Sequence, residues 1–272
     1  MDISSLLSAP ANWAKWNQLR VVSELDSKQI PNPSGNETTF TLTMMNPALF
    51  TLKQQKGNDS VVQVISLQSL KRGDNTQVIW VAEKNGFQWL KEKLTGYNEI
   101  PTSLDNLKKF AESTSDLYGF PIRLTKVVDP FICTKRIAFP QGNSEAHVQE
   151  LLTKVKQFIK DDHMTATKDY YYVSSYPLVD GRSELTVGIP VKYSFIPKNG
   201  VELLALPADG NILVGSYKGL SSGVQSIYNA MDKYVTDKHL GKVAHSMEQY
   251  PDSATTTTAG GVKNIQLIYP VY

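Results

Sequence analysis

The chain is predicted to be α+β: an N-terminal antiparallel sheet with a closing helix, followed by a βαββ unit that occurs twice. Three observations predict this. Short runs of alternating polarity, separated by turn formers, fill the first half. In the second half a strand, an amphipathic helix and two strands follow one another, and the same order then returns. The endings "LTVGIPVKY" and "IQLIYPVY" place Pro190 and Pro270 80 positions apart.

Residues 1–116 are read as the first domain. "SSLLSAPANWAKWNQL" is a short amphipathic segment with Pro10 in its middle. "TTFTLTMM", "ALFTLKQQ", "VVQVISLQSL" and "TQVIWVAEK" alternate in polarity, with "PNPSGN", "KGND" and "KRGDN" between them, which are hairpin signals. "SLDNLKKFAES" follows as a helix, with Ser103 as its expected N-cap and Leu104, Leu107 and Phe110 on one face.

Residues 117–272 are read as the second domain, with repeat units at about 117–193 and 200–272. Strand "DPFICTKRIAF" leads to a helix whose apolar positions are Val148, Leu151, Leu152, Val155, Phe158 and Ile159. "KDYYYVSSYPL" and "SELTVGIPV" are the two strands after it. The second unit runs through "NILVGSYKG", the helix "VQSIYNAMDKYVTD", "VAHSMEQYP" and "KNIQLIYPVY". The first strands align at an offset of 80, which matches Ile132 with Ile212. The helices align at 76, and all six apolar positions find a match: Val224, Ile227, Tyr228, Met231, Tyr234 and Val235. Extra residues in the second copy fall in "PDSATTTTAGGVK". Each unit alone would leave an apolar face bare, so the two are expected to pack as a pseudo-twofold pair with a cleft at their seam. Ligand sites often occupy such junctions.

Composition narrows the function classes. A net charge of +2 provides no large basic field, and no helix-turn-helix is read, so direct nucleic-acid binding is not expected. No apolar run is long enough to span a bilayer, and the first residues lack the pattern of a signal peptide. The expected location is the cytoplasm, with a trimmed form of a membrane-anchored protein as the alternative. Cys133, the one cysteine, makes neither an internal disulfide nor a thiolate metal site, and is expected to be buried and inert. The four histidines have no metal-ligand spacing, and neither GxGxxG nor a P-loop occurs, so no cofactor is expected.

The most specific catalytic pattern is "GLSSG", Gly219–Gly223, which fits a nucleophile elbow between a strand and a helix. Asp232, Asp237, His239 and His245 follow it in a triad's order. Only one helix and two strands remain after it, too few for an α/β-hydrolase sheet. The blander reading is that Ser222 caps the helix. Tyrosines cluster at Tyr170, Tyr171, Tyr172 and Tyr176 and recur at Tyr217, Tyr228, Tyr234, Tyr250 and Tyr269. They suit a lipophilic or aromatic ligand. Glu184 and Glu248 are the acids best placed to face a cleft, with surface solvation as the alternative.

The repeated unit, "ILVGSYKG" before the second helix, "MEQYPD" after it, and the endings "VGIPV" and "IYPV" resemble the GyrI-like effector-binding domain, over about residues 117–272. That resemblance implies a small-molecule site in the cleft between the units, in a family attached to bacterial multidrug-responsive regulators. Relatives often carry a buried carboxylate four residues before each closing proline; here those positions are Thr186 and Gln266. Glu184 lies two residues before Thr186 on the same strand face, and the family's E-x-Y element matches Glu248 and Tyr250. The resemblance therefore points to a neutral or polar small lipophilic or aromatic ligand. Tyr172, Glu184, Thr186, Tyr217, Tyr228, Glu248, Tyr250 and Gln266 are its candidate contacts. Some relatives hydrolyse cyclopropane-bearing compounds, and hydrolysis in the cleft, at Glu184 and Glu248 or at Ser221, is the alternative to non-enzymatic binding. More loosely, "NWAKWNQL", "NTQVIWVAE" and "SLDNLKKFAES" in residues 1–116 are similar to the START-like helix-grip family, also called polyketide cyclase-like. Its usual first strand is not found before the tryptophans.

Overall fold

A computed structural model describes residues 3–17, 21–23, 38–56, 59–70, 75–82, 99–140, 144–251 and 261–272. The expected turn at residues 31–36 and the threonine run at 255–258 lie outside these residues. The chain is α+β and divides into two compact units, Met1–Ser113 and Thr114–Tyr272.

In the first unit, Pro10 does not bend one helix but starts a second. Helix α1 spans Ile3–Ser8 and α2 spans Pro10–Trp16. Proline lacks the N–H that a first-turn residue leaves unbonded, so this position suits it. Strands β1 (Val21–Ser23), β2 (Thr38–Asn46), β3 (Leu49–Lys56), β4 (Asp59–Ser69) and β5 (Thr76–Ala82) form one sheet in that order. The hairpins β2–β5 are antiparallel as the alternation predicts, whereas β1 pairs with β2 in parallel. Phe40, Leu42, Phe50, Leu52 and Ile65 are the buried set of the alternating strands. Trp13, Trp16 and Trp80 pack together, with ring centroids 4.8–6.5 Å apart. Helix α3 runs from Glu99 to Glu112, four residues earlier than the predicted cap. Ser103 is therefore inside the helix, buried, and donates to Asn17 Oδ1 at 2.8 Å.

In the second unit, α4 (Thr114–Tyr118) and β6 (Ile122–Lys126) precede the first repeat: β7 (Phe131–Pro140), α5 (Glu145–Asp161), β8 (Tyr170–Pro177) and β9 (Arg182–Pro190). Strand β10 (Glu202–Ala205) then precedes the second: β11 (Asn211–Leu220), α6 (Val224–Asp237), β12 (Met247–Pro251) and β13 (Val262–Val271). All eight strands form one sheet in the order β10-β7-β9-β8-β12-β13-β11-β6. This order is the same read from either end once the repeats are exchanged. Ile132 faces Pro190 in β7–β9, and Ile212 faces Pro270 in β11–β13, so both closing prolines occupy one register position.

The repeat is larger than expected. Each βαββ unit has a leading strand, and that strand pairs with the other unit: β6 with β11, and β10 with β7. The duplicated element is thus ββαββ with exchanged first strands.

Alternation gives the sheet two different faces. One is covered by α5 and α6. All six predicted positions of α5 are buried there, as are Val224, Ile227, Met231 and Val235 of α6, against Leu185, Val187, Leu213 and Leu267. Gly215 allows this approach, since a Cβ there would lie 2.8 Å from Met231 Sδ. The second face carries Ile132, Tyr172, Ile212, Val214, Met247 and Ile268. The predicted cap Ser222 does not cap α6. A 3-10 turn, Ser221–Gly223, leads into it, and Gly223 takes the cap position without a side-chain bond. Cys133 is fully buried, as its apolar strand implies.

Candidate functional site

The candidate residues divide between the two faces of the eight-stranded sheet. Tyr228 and Tyr217 lie on the helix-covered face with Tyr250 and Glu248. Tyr172, Glu184, Thr186 and Gln266 lie on the second face.

On the helix-covered face, α6 and β12 bring Tyr228, Glu248 and Tyr250 together. Tyr228 donates to Glu248 Oε1 at 2.9 Å, and Oε2 accepts from Tyr250 and from Lys263 Nζ at 3.0 Å. The Glu248 and Lys263 side chains are 14% and 20% exposed. Burial, and then the nearby Glu248 charge, pushes both tyrosine hydroxyls far above their ordinary range, so they remain donors. Tyr250 also stacks on Tyr171, at 5.5 Å and 14°. This cluster is internally satisfied and fastens β12 to α6 and β13. Tyr217 is apart from it, donating to Leu220 O, and its hydroxyl fills the space beside Gly219 and Gly223.

Among the described residues, the second face carries a pair of neighbouring cavities. The first, about 240 Å³, lies over β10, β7, β9 and β8. Its floor is Ile132, Gly188 and Leu204, and Met247 closes one side. Tyr172 and Tyr176 form an aromatic wall, with the His245 ring stacked on Tyr176 at 4.1 Å and 10°. Glu184 Oε1 accepts from Tyr176 and lies 3.6 Å from Arg136 Nη1, while Arg136 Nε reaches Glu202 Oε1 at 3.0 Å. The bond to Glu184, and to a lesser extent burial, raises the Tyr176 pKa. Among the described residues, Glu184 Oε2 and the Thr186 hydroxyl have no hydrogen-bond partner.

The second cavity, about 310 Å³, lies over β8, β12, β13, β11 and β6, and includes Gln266. Tyr172 and Met247 line both cavities. They are equivalent residues: Tyr172 faces Gly188 and Met247 faces Ile268, and those partners are themselves 80 apart. The partition between the chambers therefore lies at the pseudo-twofold centre. His245 and Arg136, absent from the candidates, line the first chamber, and Asp129 and Tyr170 the second. The stacking of His245 on Tyr176 joins two repeats, which no local spacing reveals.

The geometry separates the catalytic alternatives. Glu184 and Glu248 project from opposite faces of the sheet and form no acid pair. Ser221 donates its hydroxyl to Gly261 O at 2.7 Å, and His245 stacks on Tyr176 instead of serving the serine. The strand before the elbow pattern, β11, is antiparallel to both neighbours, unlike the parallel sheet an elbow needs. Among the described residues, no cluster of three metal-ligating side chains occurs, and no helix is long and apolar enough to cross a membrane.

No protein-family model and no curated protein matches the chain. Among solved structures, the C-terminal domain of EcmrR is similar at 13% identity and TM-score 0.45, over 56% of this chain and 98% of that one. EcmrR in its DNA complex is similar at 12% identity and TM-score 0.46, over 69% of this chain and 77% of that one. An uncharacterized conserved protein from Listeria innocua is similar at 14% identity and TM-score 0.39, over 56% of this chain and 92% of that one.

Proposed function

We propose that the second unit binds a small aromatic molecule bearing a hydrogen-bond donor, without turning it over, in the first cavity of its second face. One observation carries this reading. The cavity sets ring faces beside an acceptor, Glu184 Oε2, and a hydroxyl, Thr186, that the protein leaves unbonded. Pockets of this kind combine apolar walls with a few polar groups that orient the ligand. Both repeats contribute walls, since Ala244, His245 and Met247 come from the second. A site in this cavity would lie at the seam, and that position supports a GyrI-like effector-binding reading. The Glu184–Arg136 pair reduces the demand for a cationic ligand and favours a neutral donor such as a phenol, aniline or indole.

The closed Glu248 cluster supports a structural role on the other face. For the first unit, the strand meander β2–β5, the three packed tryptophans and helix α3 support the START-like helix-grip reading, as a companion module.

A panel of phenols, anilines and indoles, read by thermal shift and calorimetry, tests the proposal. Glu184→Gln and Thr186→Val should each weaken a hit by about 5- to 10-fold, since each removes one hydrogen bond. Tyr250→Phe should leave it unchanged. Hits that bind Glu184→Gln and Thr186→Val as tightly as the parent would place the site elsewhere.

A further inference from the structure

The second cavity has an electrostatic character of its own. Asp129, in the loop between β6 and β7, is 6% exposed and lines it. Its carboxylate accepts from the Tyr170 hydroxyl and from Thr167 Oγ1 at 3.1 Å, with the Tyr172 hydroxyl at 3.5 Å. All three donors are neutral. Among the described residues, no Lys, Arg or His lies within ion-pair distance of it. A buried carboxylate with only neutral partners retains much of its desolvation cost, and a counter-charge arriving beside it relieves that cost. Tyr170 and Tyr172, edge to face at 5.5 Å, also offer ring surfaces that attract a cation.

The rest of the chamber restricts what accompanies that cation. Ile212, Val214 and Ile268 form an apolar floor. The exposed Arg123 and Lys168 line the same cavity and favour an acidic group on the ligand.

We propose that this chamber is a second ligand site, distinct from the first, which takes an amino-acid-like zwitterion with an apolar side chain. Its ammonium group binds Asp129, its apolar part lies on Ile212, Val214 and Ile268, and its carboxylate faces Arg123 and Lys168. The first chamber differs at the equivalent positions: Gly188 replaces Ile268, and Thr134 replaces Val214. The repeat has thus diverged into two pockets of different chemistry.

Calorimetry on the full chain with leucine, methionine and phenylalanine tests this directly. At least one should bind, with isoamylamine and 4-methylpentanoate, each lacking one charge of leucine, binding more weakly than leucine. Asp129→Asn should weaken the bound amino acid by 10-fold or more, whereas Glu184→Gln in the first chamber should not. Gln266→Trp, which fills the cavity from a partly exposed position, should abolish binding in a folded chain and serves where Asp129→Asn fails to fold. Failure of all three amino acids to bind overturns the proposal. So does equal binding by 4-methylpentanoate, by isoamylamine, or by either folded variant.

Discussion

Replacing Glu248 by alanine separates a structural acid from a ligand-binding one. The substitution leaves the Tyr228 and Tyr250 hydroxyls without their acceptor and Lys263 without its counter-charge, in surroundings where both charged side chains are less than one-quarter exposed. A hydrogen bond to a charged group contributes about 1.5–3 kcal/mol, and breaking a buried ion pair costs about 3–5 kcal/mol. These overlap because they share one carboxylate, so the expected loss is about 3–5 kcal/mol. For a unit of this size, each kcal/mol shifts the midpoint by about 2–4 °C, so the second unit should melt at least about 6 °C lower. Tyrosine near-UV dichroism is the suitable probe, because all four tryptophans, at positions 13, 16, 80 and 89, lie in the first unit. Tyr228→Phe alone should cost about 1–2 kcal/mol, and in the double variant the two losses should add to less than their sum. A Glu248→Ala chain that melts within 1 °C of the parent would refute the structural role. One that melts higher would mark Glu248 as a strained functional acid.

Other expectations follow from the same geometry. Gly188→Ala should cost about 1–3 kcal/mol and constrict the first chamber, because its Cβ would lie 2.6 Å from Ile132 Cγ2 and 2.8 Å from Thr134 Cγ2, both on stiff branched side chains; urea unfolding measures the loss. Cys133 should resist Ellman's reagent at pH 8 in the native chain and react fully in guanidinium, since burial, and then the Asp162 charge, pushes its thiol up to about 12. Tyr170, raised to about 12 by burial and by its bond to Asp129, and Tyr172, Tyr228 and Tyr250, raised further, hold their protons more tightly folded than unfolded. Their stabilisation is fully present below pH 10, the unfolded value, and is lost as pH rises through and beyond 12. Urea midpoints at pH 8 and pH 11 should therefore fall with pH; a flat profile would contradict these assignments.

The two long helices of the second unit are legible because burial there repeats every three to four residues, as all six positions of α5 and four of their six matches in α6 record. The closing strands were legible because their prolines hold a fixed spacing. Strands β6 and β10 were not, being five and four residues long with mostly exposed or half-buried side chains, so no alternation marks them. Ser103 is of a residue type that suits a cap, but α3 starts a turn before it, and its hydroxyl bonds to Asn17 instead. The division of the site was only half legible. Period-two alternation correctly places Glu184 with Thr186, and Tyr170 with Tyr172. That Glu248 turns toward α6 and Gln266 away depends on register between strands far apart in sequence.

The exchanged strands β6 and β10 make the two repeats interdependent. Each half of the duplication lends its opening strand to the outer flank of the other, so each completes a sheet that its own sequence leaves unfinished. The domain is in this sense a swapped dimer written on a single chain, with residues 191–201 as the tether that keeps the partners at high effective concentration. Cutting at that tether should leave two halves of the second unit that fold only together. Among the described residues the lent strands are also the outer strands of the finished sheet, and their brevity, with Arg123, Lys126 and Glu202 along them, suits margins that must not recruit a further copy.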